Sequence, residues 1–310
     1  MQESEYATSP APFSLGDTPL AREIADLSSR RRALEKVTLE FGGPTRVVTV
    51  SNQKGGVGKT TTTVNIASAL ALVGARVLVI DLDPQGNAST ALGVPHTADI
   101  PSVYDVLIDE FPLAEIVQTS PESPLLLCAP STIHLAGAEI ELVSQVAREH
   151  RLRTALEDYL AAAPEHIDFV LIDCPPSLGL LTINAFTAAN ELMIPIQCEY
   201  YALEGLSQLL GSVRMIQKHL NPALHLSTIL LTMYDGRTRL AQQVAEEVRS
   251  HFPAEVLRTV IPRSVRVSEA PSFGQTVVAY DGQSAGAIAY REAAVEIARR
   301  GHTHDDEENN

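Results

Sequence analysis

The sequence has 310 residues, 45% of them hydrophobic and 20% charged, which is enough chain to bury a full core as one large domain with loose ends. Its formal net charge of −15 excludes a uniformly basic nucleic-acid binder, so any contact with DNA must use a local patch. No apolar run reaches the roughly 18 residues of a membrane helix, and the start, "MQESEYATSP", lacks the basic and apolar regions of a signal peptide, which points to the cytoplasm.

From the amino end, residues 1–43 read as a disordered arm with one short helix. The arm is rich in Ser, Pro and Ala, and then "LAREIADLSSRRRALEK" places Leu20, Ile24, Leu27 and Leu34 at roughly helical spacing. The basic run inside it reads more readily as a solvated helix face than as a nucleic-acid contact. Short β-branched runs then alternate with helical patterns. Strands are expected at 46–52, 76–83, 125–129, 169–176, 191–197, 226–235 and 255–262, and helices after the first strand and at 139–162, 203–220, 239–251 and 284–300. "FVLID" shows no polar alternation, as expected of a strand buried on both faces of a parallel sheet. The fold class is therefore α/β, a doubly wound, mostly parallel sheet flanked by helices. Residues 301–310, "GHTHDDEENN", read as a disordered acidic tail. Cys128, Cys174 and Cys198 are isolated, with no paired spacing for a metal or cluster, and read as small buried thiols in a reducing compartment.

The segment "SNQKGGVGKTTTTVNIASAL" joins the first strand to a helix through a glycine turn. That order makes an anion site, because successive backbone N–H groups and the helix dipole point at one place. Gly55, Gly56 and Gly58 let the backbone curl around phosphate oxygens, Lys59 suits the β and γ phosphates, and the Thr60 hydroxyl suits Mg²⁺. Gln53 stands where the usual Walker A spacing wants a glycine, so the match is to the variant K-G-G-x-G-K-[ST]. The chain has only four lysines against nineteen arginines, and two of the four, Lys54 and Lys59, sit in this loop, where a guanidinium would not replace a compact ammonium. Asp83 in "VIDLDPQGN" and Asp173 in "LIDCPPSLG" each follow or end an apolar strand, at the edge where such sheets bind ligands. Taken singly, each carboxylate also fits a turn or helix cap.

"KGGVGKTTT", "DLDPQGNAS", "IDCPPSLGLLTINA", "CEYYALEGLSQLL" and "SEAPSFGQ" together resemble the ParA/Soj ATPases of chromosome and plasmid partition, in the deviant-Walker P-loop group that includes MinD. The resemblance runs from about residue 44 to about 300, and the arm before it is too short for the helix-turn-helix domain of some plasmid relatives. It implies an Mg²⁺-dependent ATPase that forms a homodimer around ATP, with Lys54, Gly55, Gly56, Val57, Gly58, Lys59, Thr60 and Thr61 around the nucleotide. In that picture Lys54 reaches the phosphates held by the partner subunit, offsetting repulsion between two facing ATP molecules. Asp83 positions the attacking water, Thr60, Asp83 and Asp173 serve the metal, and the Pro262 and Ser264 neighbourhood holds the purine. Many relatives carry Asn where Ser264 stands, and a hydroxyl offers fewer hydrogen bonds to a base.

The resemblance also assigns Arg237, Arg263 and Arg266 to a band that binds double-stranded DNA without sequence preference. The competing reading, arginines paired with nearby Glu246, Glu247, Glu255 and Glu269, stays open at this point. Cys198, Tyr200 and Glu204 fall where the resemblance expects the dimer face or partner groove, and Tyr200 and Tyr201 fit equally well as core aromatics. The expected partner is a ParB-type centromere-binding protein that triggers hydrolysis, and the expected location is cytoplasmic and nucleoid-associated. A membrane-positioning ATPase like MinD would want a basic amphipathic carboxyl-terminal helix, where this chain has "DDEENN". An iron–sulfur relative would want cluster-spaced cysteines, and a scaffold without hydrolysis would not explain both Asp83 and Asp173.

Overall fold

The computed structural model describes residues 18–200 and 202–308, apart from the side chains of 19, 20 and 301–308. Residues 1–17 of the expected arm, Tyr201, and residues 309–310 of the expected tail therefore lie outside the described residues. The chain divides into a unit of residues 1–36 and a unit of residues 37–310. The first holds one helix, α1 (Pro19–Leu34), opened by the Thr18 hydroxyl, which accepts the Ala21 N–H at 3.2 Å. Arg30 pairs with Asp26 and Arg31 with Glu35 one turn apart, so the basic run is laced with i,i+4 ion pairs.

The second unit is built on eight strands: β1 (Arg46–Val50), β2 (Val77–Asp81), β3 (Gln118–Thr119), β4 (Leu126–Ala129), β5 (Phe169–Asp173), β6 (Glu191–Gln197), β7 (His225–Tyr234) and β8 (Val256–Pro262). They form one sheet in the order β3-β4-β2-β5-β1-β6-β7-β8, parallel throughout except for the short edge pair β3 and β4. The helices of this unit are α2 (Lys59–Leu72), α3 (Asn87–Ala91), α4 (Val103–Asp109), α5 (Leu135–Glu141), α6 (Arg151–Ala162), α7 (Leu180–Ala188), α8 (Ala202–His219), α9 (Arg239–His251), α10 (Val265–Glu269), α11 (Val277–Tyr280) and α12 (Ala285–Glu308).

Each central strand feeds both faces. Leu78, Ile80, Val170 and Ile172 join one apolar core with α4, α6, α7, α8 and α9, while Val77, Val79, Phe169 and Leu171 join the other with α2, α3 and α12. β1 lies between β5 and β6, and the chain runs to β2 on one side of it and to β7 and β8 on the other. Its carboxyl end is thus a topological switch point, where open α/β sheets leave a crevice for ligands. At the opposite edge the Arg46 guanidinium forks onto Glu191 at 2.6 and 2.8 Å, donates to the Ile297 carbonyl at 2.7 Å and lies over the Phe169 ring. This clamp ties β1, β5, β6 and α12 together away from the site.

Three expectations need correction. The helix expected across 139–162 is broken into α5, a 3-10 turn at Leu142–Ser144, and α6, because Gln145 turns extended and Ala147 adopts a positive φ of 49°. α4 and α7 were not anticipated: α4 is short, though closed by a Ser102/Asp105 capping box, and "LLTINAFTA" of α7 is apolar nearly all round and so lacks helical periodicity. α12 also continues past residue 300, through part of the segment read as an acidic tail.

Candidate nucleotide and magnesium site

β1 ends at Val50, the loop covers 51–58, and α2 begins at Lys59. Two glycines carry the turn: Gly56 sits at φ +75° and Gly58 at φ +89°, the left-handed region that a side chain resists. Gly58 is the N-cap of α2 and offers no side chain to the first turn, so the N–H groups there face outward to an anion. Neighbouring strands fasten the loop. Asn52 donates to the Pro195 carbonyl at 2.9 Å and accepts the Lys54 N–H at 3.0 Å, while the buried Thr232 hydroxyl donates to the Val57 carbonyl at 2.8 Å. The cradle is thus set by β6 and β7 as much as by its own glycines.

The two lysines point to different environments. Lys59 is buried at 7% exposure, and among the described residues its Nζ makes only a long 3.4 Å hydrogen bond, to the Lys54 carbonyl. Burial pushes its pKa down, and the charges of Asp173, Cys174 and Asp83 pull it back up. A phosphate oxygen beside it would supply the counter-charge that the chain leaves incomplete. Lys54 is exposed with Gly55 and Gly56 on the outer rim, where its ammonium pairs with Glu199 at 2.5 Å.

Behind the loop stand three carboxylates. β2 and β5 pair so that Asp81 lies directly across from Asp173, and both are fully buried on the face covered by α2. Asp173 Oδ1 accepts the Thr63 hydroxyl at 3.0 Å, but its Oδ2 is buried with no hydrogen-bond partner. Burial and the nearby Asp81 charge push its carboxyl well above the ordinary carboxylate range, against the pull of the Thr60 and Thr63 hydroxyls. Burial likewise raises Asp81, with the groups of Ser89 opposing it. A buried carboxylate oxygen without a donor is costly, and a hydrated cation between Asp173 and the phosphates would satisfy it. Among the described residues no three His, Cys, Asp or Glu side chains converge as a ligand cage. That donor set suits Mg²⁺, which keeps several waters and takes its remaining ligands from phosphate and one or two side chains. Asp83 is nearly buried and shapes its own turn: its Oδ1 accepts the Gln85 N–H and its carbonyl accepts the Gly86 N–H.

The other expected residues spread along the same edge. Pro262 ends β8, three strands from β1, a span of roughly 15 Å at the usual strand spacing. Ser264 is the N-cap of α10 but makes no side-chain cap bond. Arg237 follows β7, 91% exposed, and forks onto Asp235 at 2.8 Å through both Nε and Nη2. Arg266 pairs with Glu269 at 3.0 Å and reaches Asp281 at 3.5 Å. Arg263 is exposed and makes no side-chain hydrogen bond or ion pair among the described residues, although its charge acts on the nearby Asp235. Two of the three arginines are therefore ion-paired, with Asp235 and Asp281 as partners that lay outside the sequence expectation. Tyr200 is 77% exposed, Cys198 is buried with its thiol pushed up to about 11 by burial, and Glu204 lies in the first turn of α8. Tyr200 is therefore not a core aromatic.

Sequence reasoning passed over Asp81 and Glu199. Asp81 is the first acid of "DLDP" and stands at the last residue of a buried strand, a position that itself signalled an interior carboxylate. Glu199 carried no local signal, because its partner is 145 positions away.

A parallel sheet with a glycine loop, a buried lysine and a cation-ready aspartate at its switch point defines a P-loop nucleotide hydrolase. A family model described as an AAA domain matches residues 45–226. The chain is 52% identical to the sporulation initiation inhibitor protein Soj of Bacillus subtilis over 256 residues, 83% of this chain and 99% of that protein. It is 50% identical to the chromosome partitioning protein ParA of Caulobacter vibrioides over 83% of this chain and 95% of the relative. Among solved structures, it matches a Mycobacterium smegmatis cobyrinic acid a,c-diamide synthase with ADP and magnesium at TM-score 0.72 and 38% identity, over 84% of this chain and 97% of that one. It also matches the MinD of Pyrococcus horikoshii complexed with Mg-ADP at TM-score 0.64 and 26% identity, over 82% of this chain and 96% of that one. The chain belongs to the Soj/ParA family of partitioning ATPases. It is an ATPase that uses ATP and magnesium, with a role in chromosome partition.

Proposed function

We propose that this protein is a dimerising switch: ATP and Mg²⁺ join two copies, the dimer binds double-stranded DNA without sequence preference, and hydrolysis releases it. The observation that carries this reading is the division between the loop lysines, Lys59 turned into the protein and Lys54 turned out to the rim. Lys59, with Gly55, Gly56, Val57, Gly58 and Thr61, serves the phosphates of its own site, and Lys54 serves those of the partner copy. Thr60 ligates the metal, Asp173 supports it through water, and Asp83 orients the attacking water. Pro262 and Ser264 line the base.

DNA contact falls to Arg263 first, and to Arg237 and Arg266 once their carboxylate partners are displaced. Cargo is a chromosome or plasmid, the stimulating partner is a ParB-type centromere-binding protein, and the protein acts in the cytoplasm on the nucleoid. No helix among the described residues is long and apolar enough to cross a membrane. Identity of 52% and 50% to partitioning proteins, against 38% to the diamide synthase over nearly the same share of chain, favours the partition reading.

The test is DNA retention with ATP, ADP or no nucleotide at two salt concentrations. Retention only with ATP, weakened steeply by salt and abolished by Lys54→Ala, supports the switch. Equal retention in all three states, or a monomer by light scattering with ATP bound and turnover blocked, overturns it. Recovery with liposomes in a flotation assay would favour a membrane-positioning protein instead.

A further inference from the structure

Asp81 is fully buried beside the site, and none of the roles assigned so far uses it. Its Oδ2 accepts two hydrogen bonds from one residue, the Ser89 N–H at 2.8 Å and the Ser89 hydroxyl at 2.7 Å, and its Oδ1 accepts the Asp83 N–H at 3.2 Å. The Ser131 N–H donates to Ser89 Oγ at 3.1 Å. Because that oxygen is occupied as an acceptor by Ser131, the single hydroxyl proton of Ser89 is directed at Asp81. The contacts run Ser131 N–H to Ser89 Oγ, Ser89 O–H to Asp81, and Asp83 N–H to the other oxygen of Asp81, with the buried Cys128 thiol as a further hydrogen-bonding neighbour of Ser89.

The consequence falls on Asp83. Its N–H is held by Asp81, its carbonyl accepts the Gly86 N–H at 2.9 Å, and its Oδ1 accepts the Gln85 N–H at 3.0 Å. Its Oδ2 makes no hydrogen bond among the described residues and is the oxygen left for water. The turn has no slack beyond Asp83 either: Gly86 sits at φ +63°, and a Cβ there would meet the His96 ring at 2.8 Å.

We propose that Asp81 and Ser89 form a positioning pair that fixes the Asp83 loop for ATP hydrolysis, with Ser131 setting the direction of the Ser89 hydroxyl. This rests on the reading of Asp83 as the residue that orients the attacking water. Both members of the pair are fully buried, so their role is one of support. They act by pinning the backbone on both sides of a group whose placement governs the rate.

The experiment compares Ser89→Ala, Asp83→Ala and Thr187→Ala in the full chain. Thr187 makes a comparable buried hydroxyl contact, donating to the Ile183 carbonyl at 2.8 Å in the last turn of α7, at the edge of the sheet where β6 begins and away from the Asp83 loop. Ser89→Ala is expected to lower kcat on the order of tenfold with ATP affinity changed less than about twofold. In the absence of nucleotide, the amides of Asp83, Gln85 and Gly86 should exchange faster with solvent by mass spectrometry. Thr187→Ala should lose thermal stability while keeping wild-type kcat and wild-type exchange at those amides. Wild-type kcat or unchanged exchange in Ser89→Ala overturns the positioning role, as does an equal fall in kcat for Thr187→Ala. If Asp83→Ala itself turns over at the wild-type rate, the reading of Asp83 fails and the proposal goes with it. Wild-type turnover in Ser89→Ala beside an inactive Asp83→Ala removes the positioning role alone.

Discussion

Lys54 Nζ lies 2.5 Å from Glu199 Oε2, bridging the rim of the phosphate loop and the segment that leaves β6. Both side chains are about half exposed, 44% and 47%, so water screens the pair and opening it costs little. The outward lysine is thus held by its own chain. In the proposed switch Lys54 would have to leave Glu199 to serve a partner's phosphates, so the two contacts would compete.

Glu199→Gln therefore should favour the dimer. With an ATP analogue that is not hydrolysed, the concentration for half-maximal dimer by light scattering is expected to fall by about two- to fivefold, the range of an exposed ion pair. An unchanged or raised concentration would show that the pair does not oppose assembly.

Asp173 is a buried carboxyl with one oxygen unsatisfied, and burial and the Asp81 charge push its pKa well above the ordinary range, so its ionised form is disfavoured in the folded chain. Asp173→Asn puts a permanently neutral amide there and keeps a carbonyl for Thr63. The nucleotide-free variant is expected to melt at or above the wild-type temperature at neutral pH. Wild type should gain further stability with magnesium and ADP together over ADP alone, and the variant should not. A variant that melts lower and still gains from magnesium would contradict the cation role.

The Arg46 clamp gives a pH signature far from the nucleotide. Burial acts to raise the Glu191 carboxyl, but hydrogen bonds and charge from Arg46 outweigh it and hold its pKa below the ordinary value. A depressed folded pKa contributes stability that is present above the unfolded carboxylate range and is lost as pH falls through the folded value. Glu191→Gln should cost about 3 kcal/mol at pH 7, since it strands a largely buried guanidinium. The gap between variant and wild type in denaturant melts should narrow as pH drops below about 4. A gap that stays constant down to pH 3 would assign the cost to packing alone.

Asp235 is held at about 2 by the forked hydrogen bonds and charge of Arg237, with Arg263 adding to the pull. Water screens the pair, so it adds little to stability; if Arg237 meets DNA as proposed, Asp235 competes with the phosphates for it. Asp235→Asn should strengthen ATP-dependent DNA retention and make it persist to higher salt. Arg263→Ala should weaken retention and lower the slope of log affinity against log salt by about 1. Equal salt slopes in all three proteins would place the DNA surface elsewhere.

Much of the fold was legible because its signals are local. Unbroken apolar runs such as "FVLID" lie in a doubly covered sheet, and their alternate residues do divide between the two cores. The phosphate loop was legible for the same reason: glycines with positive φ, the lysines and Thr60 are neighbours in sequence because backbone N–H groups of one short segment make the cradle. α7 was not legible, since a helix enclosed on all sides has no polar face to mark its period.

The sequence by itself determined the parallel α/β class, the nucleotide loop and the family, since each depends on residue types at short spacing. Tertiary structure alone decided which carboxylates carry charge at a cost and which cations are already spoken for. Asp81 meets Asp173 only because β2 and β5 become neighbours in register, and Lys54 meets Glu199 only because β6 lies beside β1. Electrostatic energy depends on distance and on access to water, and neither is written in the order of residues along the chain.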